Sequence, residues 1–263
     1  MRTISRLATG SGFTVDDLRI VERSEAWSVP EAGTEHQLVF VRRGAFRLRL
    51  ARWEGLVDPL VAYVRPTGVE QCIAHRPAAH DACTVIGFDD ALAVDVLPAG
   101  SFERPLATSA AVDLAHRTLF ARARHGADEF EVTERVVALV DQLFVVADPE
   151  GGGSWAHRRL ADAVRERLTI DPAGPAFGTL AAELGVSRPH LSRVFRAVTG
   201  TSLTTFRTRV RVRAALEAID AGQTNLADLA AELGFADHAH LTRTLRAEVG
   251  SPPSRLRAAL RGV

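Results

Sequence analysis

The strongest constraint on this chain is a duplication. Residues 180–200 read LAAELGVSRPHLSRVFRAVTG and residues 229–250 read LAAELGFADHAHLTRTLRAEVG, with one extra residue in the second turn. LAAELG recurs 49 positions on, and His190, Leu191, Arg193, Arg196, Ala197 and Gly200 recur 50 positions on. Alanine- and leucine-rich helices often imitate each other. Continuation across a glycine turn into a second, arginine-bearing helix does not follow from composition, so the chain must build one two-helix unit twice.

Each copy holds the parts of a helix-turn-helix. A short apolar helix (Leu180, Ala181, Leu184; Leu229, Ala230, Leu233) stops at Gly185 or Gly234, where a left-handed cap is cheap without a Cβ. The next helix starts at an N-cap residue, Ser187 or Asp237, and Pro189 sits in a first turn that tolerates its missing N–H. Leu191 and Phe195, like Leu241 and Leu245, are spaced i, i+4 and fall on one buried face. Ser192, Arg193 and Arg196, matched by Thr242, Arg243 and Arg246, remain outside. There arginine can make bidentate contacts to guanine in a major groove. Between the copies, Phe206, Val210, Ala214 and Ala218 predict one helix over 203–220, a strut of about 25 Å at ~1.5 Å per residue. With the module widths added, it can hold two recognition helices about one DNA turn apart, ~34 Å.

This pattern resembles the DNA-binding domain of the AraC/XylS family of bacterial transcription regulators. The resemblance covers about residues 155–260. It rests on S-R-P-H-L-S-R-V-F-R at 187–196, the Gly200-Thr201-Ser202 exit, the arginine-rich connecting helix, Gly234-Phe235, and G-S-P-P-S-R-L-R at 250–257. Leu241, Leu245 and Leu256 stand where the family usually has aromatics. The resemblance implies base-edge contacts at Pro189, Ser192 and Arg193, then at His238, Ala239, Thr242 and Arg243. Pro189 and Ala239 offer no hydrogen bond, so readout falls mainly on Arg193 and Arg243. Phosphate contacts are expected from Ser187, Arg196, Arg207, Arg209, Arg246 and helix N-termini. The implied partners are double-stranded DNA and RNA polymerase, with activation the commoner mode.

The charge distribution agrees. All 32 basic side chains are arginine, and formal net charge is zero. Residues 1–154 hold 16 arginines against 22 acids and residues 155–263 hold 16 against 10, so the halves carry about −6 and +6. The basic half has the footprint expected for phosphate contact. No apolar run of membrane-spanning length and no signal peptide appears, so a cytoplasmic location is expected.

Residues 1–23 yield no assignment. Over 24–88 the signals are for strands: HQLVFVRR (36–43), AFRLRLARW (45–53), LVAYVR (60–65), QCIAH (71–75) and ACTVIGF (82–88). Such short, turn-punctuated strands suggest a small barrel or sandwich. VRRGAFRLRL, a proline-glycine turn and the I-A-H-R-P segment resemble the cupin-like sensor domain of many AraC-family members. Helical spacing follows over 110–123 and 132–146, a pair that either dimerises or packs on the barrel. Residues 148–154 read as a linker. The expected fold is therefore α+β in two domains. Residues 1–147 form a cupin-like β-barrel with a helix pair (about 108–147), and residues 155–263 an all-α domain. Its helix-turn-helix motifs fall at about 177–199 and 225–249, joined by the long helix.

Two further groups carry candidate chemistry. Cys72, His75, His80 and Cys83 have the spacing C-x2-H-x4-H-x2-C, a donor set suited to zinc. If 71–76 pair with 79–84 as a hairpin, Cys72 faces Cys83 and His75 faces His80. Residues three apart point to opposite sheet faces, so one four-ligand site needs a bulge near Pro77. The alternatives are two small buried cysteines with surface histidines, or a redox-sensitive pair. Metal-dependent cupins carry two histidines one residue apart; here His36 is followed by Leu38 in the second position, which argues against an enzyme. No nucleophile-elbow, P-loop or dinucleotide pattern appears. Leu38, Phe40, Phe46, Leu48 and Tyr63 are candidate walls of a small-molecule effector cavity. The competing reading is an effector-independent regulator whose barrel forms a homodimer or binds a protein partner.

Overall fold

The computed structural model describes residues 1–22, 24–98, 104–145 and 154–261. The expected linker at 148–153 lies outside the described residues. The chain opens with a hairpin that its mixed composition did not disclose, β1 (Arg2–Gly10) and β2 (Phe13–Val21). Seven strands follow: β3 (Glu31–Ala32), β4 (His36–Arg43), β5 (Phe46–Leu50), β6 (Trp53–Val57), β7 (Val61–Arg65), β8 (Glu70–Ala74) and β9 (His80–Phe88). Helix α1 (Asp90–Val96), the short β10 (Leu106–Ala107), α2 (Ala110–Arg124) and α3 (Glu129–Val145) complete the N-terminal part.

Two sheets face each other, with orders β1-β2-β9-β4-β7-β10 and β3-β8-β5-β6. Their inward residues, among them Leu18, Val39, Val41, Phe46, Leu48, Tyr63 and Cys83, form one core, giving a two-sheet barrel. The outer face of the six-stranded sheet is apolar too. Phe13, Val15, Leu38, Phe40, Ile86 and Phe88 pack there with Val112, Leu119, Val136 and Leu139 of the helix pair. Strands β4 and β9 are thus covered on both faces, which is why they read as continuous apolar runs rather than alternating ones.

The C-terminal part is helical: α4 (Trp155–Ile170), α5 (Phe177–Glu183), α6 (Arg188–Thr199), α7 (Leu203–Asp220), α8 (Leu226–Glu232), α9 (His238–Val249) and α10 (Pro253–Arg261). Helix α7 serves both repeats. Leu203, Phe206 and Val210 close the first core with Leu180, Leu191 and Phe195. Val212, Leu216 and Ile219 close the second with Leu229, Leu241, Leu245 and Leu260. At 18 residues, α7 is about 27 Å long at ~1.5 Å per residue.

The two parts are joined by a buried ionic cluster. Asp113 of α2 accepts from Arg117 Nε at 3.0 Å and lies 3.4 Å from Arg213 Nε of α7. Arg117 reaches Glu217 of α7 at 2.6 Å, and Arg213 donates to the Thr108 and Ser109 carbonyls at 3.1 and 2.9 Å. Burial opposes ionisation of Asp113, yet the Arg117 and Arg213 guanidiniums hold its carboxyl well below the usual carboxylate range. Arg165 of α4 meets the fully buried Asp58 at 2.8 Å, and Arg124 meets Asp220 at 2.9 Å.

Candidate nucleic-acid interface and barrel cavity

Both recognition helices are built as the repeat predicts. The Ser187 hydroxyl accepts from the His190 N–H at 3.3 Å, and the Asp237 carboxylate accepts from the His240 N–H at 2.6 Å. Each helix ends at a left-handed glycine, Gly200 (φ 69°) or Gly250 (φ 75°). Leu191, Phe195, Leu241 and Leu245 are fully buried. Pro189, Ser192, Arg193 and Arg196 are exposed on α6, as are His238, Arg243 and Arg246 on α9, while Ala239 and Thr242 are half-buried. Among the described residues, the side chains of Arg193, Arg196, Arg243 and Arg246 make no hydrogen bond or ion pair. Arg188, which the sequence reading passed over, adds another exposed guanidinium at the start of α6.

Not every arginine of the connecting helix is available. Arg207 donates to the Pro175 carbonyl at 2.7 Å and stacks 3.9 Å over Phe177. It braces the α4–α5 loop, a duty that competes with the phosphate contact expected of it. Arg211 holds the same loop through Pro172 and Ala173, and Arg213 belongs to the buried cluster. Arg209 alone of these four is exposed. The Ser187 hydroxyl already serves as a cap acceptor, so only its O–H is left to offer a phosphate. At α9 the His240 N–H lowers the Asp237 carboxyl below its ordinary range. That helix therefore carries its own anion where α6 does not.

The barrel encloses a cavity of about 350 Å³. Leu18, Val39, Phe46, Tyr63, Gln71, Ile73, His75, Cys83 and Val85 line it, with Trp27, Arg2 and Glu31 towards its mouth. Phe46 and Tyr63 are where the sequence placed them. Leu38 and Phe40 are not: they point to the helix pair, and their neighbour Val39 faces the cavity. A strand covered on both faces gives no parity signal, so the inward set was read one residue out of register. Leu48 lies in the barrel core without reaching the cavity.

The proposed hairpin between 71–76 and 79–84 does not form. Strand β8 pairs with β3 and β5, whereas β9 pairs with β2 and β4, so Cys72 and Cys83 lie in different sheets. Cys72 is registered against Arg49; Cys83 points into the barrel. His75 Nδ1 is 2.6 Å from Asp81 Oδ2 in a buried pair, while His80 is exposed. Burial and then the Asp81 charge push the Cys83 thiol up to about 12, which disfavours the thiolate that metal binding or exchange needs. Among the described residues, no three His, Cys, Asp or Glu side chains gather in a metal-binding arrangement. His36 pairs instead with Asp90 at 3.3 Å.

Residues 180–259 match a family model described as a helix-turn-helix domain. No curated protein matches the chain significantly. Among solved structures, ToxT from Vibrio cholerae is similar at 12% identity and a TM-score of 0.39, covering 96% of this chain and 99% of that one. The C-terminal domain of AraT, a response regulator from Geobacillus stearothermophilus, is similar at 20% identity and a TM-score of 0.35, covering 40% and 84%. A cupin superfamily protein from Desulfitobacterium hafniense is similar at 12% and 0.29, covering 34% and 79%. No helix among the described residues is long and apolar enough to cross a membrane. The duplicated motif, its capping and the family match together make residues 180–259 a helix-turn-helix domain.

Proposed function

We propose that the chain is a sequence-specific DNA-binding transcription regulator that lays α6 and α9 in successive major grooves. The observation that carries this is the pair of exposed arginines, Arg193 and Arg243, at equivalent positions of two helices fixed to one rod. Arg193 and Arg243 read base edges, with Pro189, Ser192, His238, Ala239 and Thr242 at the groove floor. Arg196, Arg209 and Arg246 position phosphates, and the α6 N-terminus adds a dipole. The functional division falls at about residues 148–154, and RNA polymerase is the downstream partner.

The N-terminal barrel is the control element. Its formed cavity favours a small-molecule effector over a barrel that only pairs protomers.

Gel shifts on a selected operator test the readout. Arg193→Ala should cost ~1–3 kcal/mol and relax preference at one base pair, whereas Arg209→Ala should weaken every sequence alike and flatten the salt dependence. If Arg193→Ala lowers affinity equally for all sequences, the base-contact assignment is wrong.

A further inference from the structure

We infer that the barrel cavity selects an uncharged, ring-sized molecule carrying a hydroxyl group; this rests on the effector reading above and narrows it. Two polar groups on opposite sheets are unspent. Gln71 of β8 is 6% exposed, and its buried Oε1 has no hydrogen-bond partner. Tyr63 of β7 is 3% exposed, and its hydroxyl makes no hydrogen bond among the described residues. Both line the cavity, beside the apolar Leu18, Val39, Phe46 and Val85. Buried polar groups are seldom left unpaired in a folded protein, so the orphaned Gln71 Oε1 marks where a ligand's polar atom belongs, with the Tyr63 hydroxyl on the facing wall. A hydroxyl both donates and accepts, so it serves Gln71 whichever way the amide is turned.

The charges exclude ions. The two basic lining residues are already paired, Arg2 with Glu31 at 2.9 Å and His75 with Asp81 at 2.6 Å. Asp16 at the wall is paired with Arg6. Among the lining groups named here, a carboxylate would lose its water and meet no unpaired cation, and an ammonium would meet no unpaired carboxylate.

Calorimetric titration of the full chain with 2-naphthol, naphthalene, 2-naphthoate and 2-naphthylmethylammonium tests this. The naphthol should bind at least about tenfold tighter than the other three, as expected where a buried hydrogen bond decides between near-isosteres. Gln71→Leu and Tyr63→Phe should each erode that preference while leaving naphthalene binding in place. Equal or tighter naphthoate binding, or an unchanged hydroxyl preference in both variants, overturns the ligand class. If none of the four probes binds a folded protein, the effector reading falls with it. Naphthol binding that leaves operator affinity untouched supports the class and counts against effector control.

Discussion

Asp113→Ala should loosen the seat of the DNA-binding helices on the barrel. The side chains of Asp113, Arg117 and Arg213 are 4%, 2% and 1% exposed, so truncation leaves two guanidiniums buried without their shared anion. Removing one partner from such a group costs about 3–5 kcal/mol. Arg117 keeps Glu217 at 2.6 Å, and Arg213 keeps two carbonyls at 3.1 and 2.9 Å. Both retained sets pull the figure to the low end, ~3 kcal/mol, roughly a hundredfold in the opening equilibrium. Asp113 is on α2 and Arg213 on α7, so separation of the two parts relieves the buried charge before either unfolds. The readout is the first urea transition, followed in parent, Asp113→Ala, Arg213→Met and the double variant. Asp113→Ala should lower that transition, and Arg213→Met in its background should restore part of the loss, because one orphaned cation is gone. A change under ~1 kcal/mol for Asp113→Ala, or strictly additive losses in the double variant, would refute the reasoning.

Burial lowers the His116 imidazole from 6.5 to about 4. A folded value below the unfolded one gives stability that is present above pH 6.5 and lost as pH falls toward 4, about 3 kcal/mol in full. Urea unfolding of parent and His116→Gln across that window should diverge at neutral pH and converge at pH 4. Arg207→Ala should cost about 1–2 kcal/mol of stability, from one hydrogen bond and one stacking contact. It should leave the salt slope of DNA binding unchanged, and a slope reduced by about one would return Arg207 to the phosphate contacts.

The C-terminal part was legible because its signals are local. Glycine caps, N-caps and i, i+4 apolar pairs each lie within a dozen residues, and duplication supplied an internal control. The barrel was less so. Strand β5 (FRLRL) is solvated on one face and announced its parity. Strand β4 (HQLVFVRR), with four consecutive buried apolar residues, could not, and Leu38 and Phe40 were set on the wrong wall. The β1–β2 hairpin was missed because β1 is mostly exposed and reads as polar. Cys72 and Cys83 looked like hairpin partners because only sheet order, a long-range property, sends β8 and β9 to different sheets. The arginines of α7 looked interchangeable in sequence. Their separate duties follow from which neighbour each meets: a loop carbonyl, a buried aspartate or solvent.

The effector control proposed above has a short material route. Strands β4 and β9 are one residue thick, with the cavity on one side and α2 on the other. Val39, Cys83 and Val85 face the cavity. Beside them, Phe40 stacks on His116 at 4.4 Å, and Thr84 Oγ1 lies 2.8 Å from His116 Nε2. Arg42 at the end of β4 pairs with Asp17, sits 3.8 Å over Phe120 of α2, and accepts from Arg117 through its carbonyl at 3.3 Å. Arg117 then holds Glu217 of the rod that carries both recognition helices. In a close-packed wall, a shift of Val39 moves Phe40 with it. The cavity and the seat of α7 therefore share a backbone, and a ligand that changes the strand has α2 as its first neighbour.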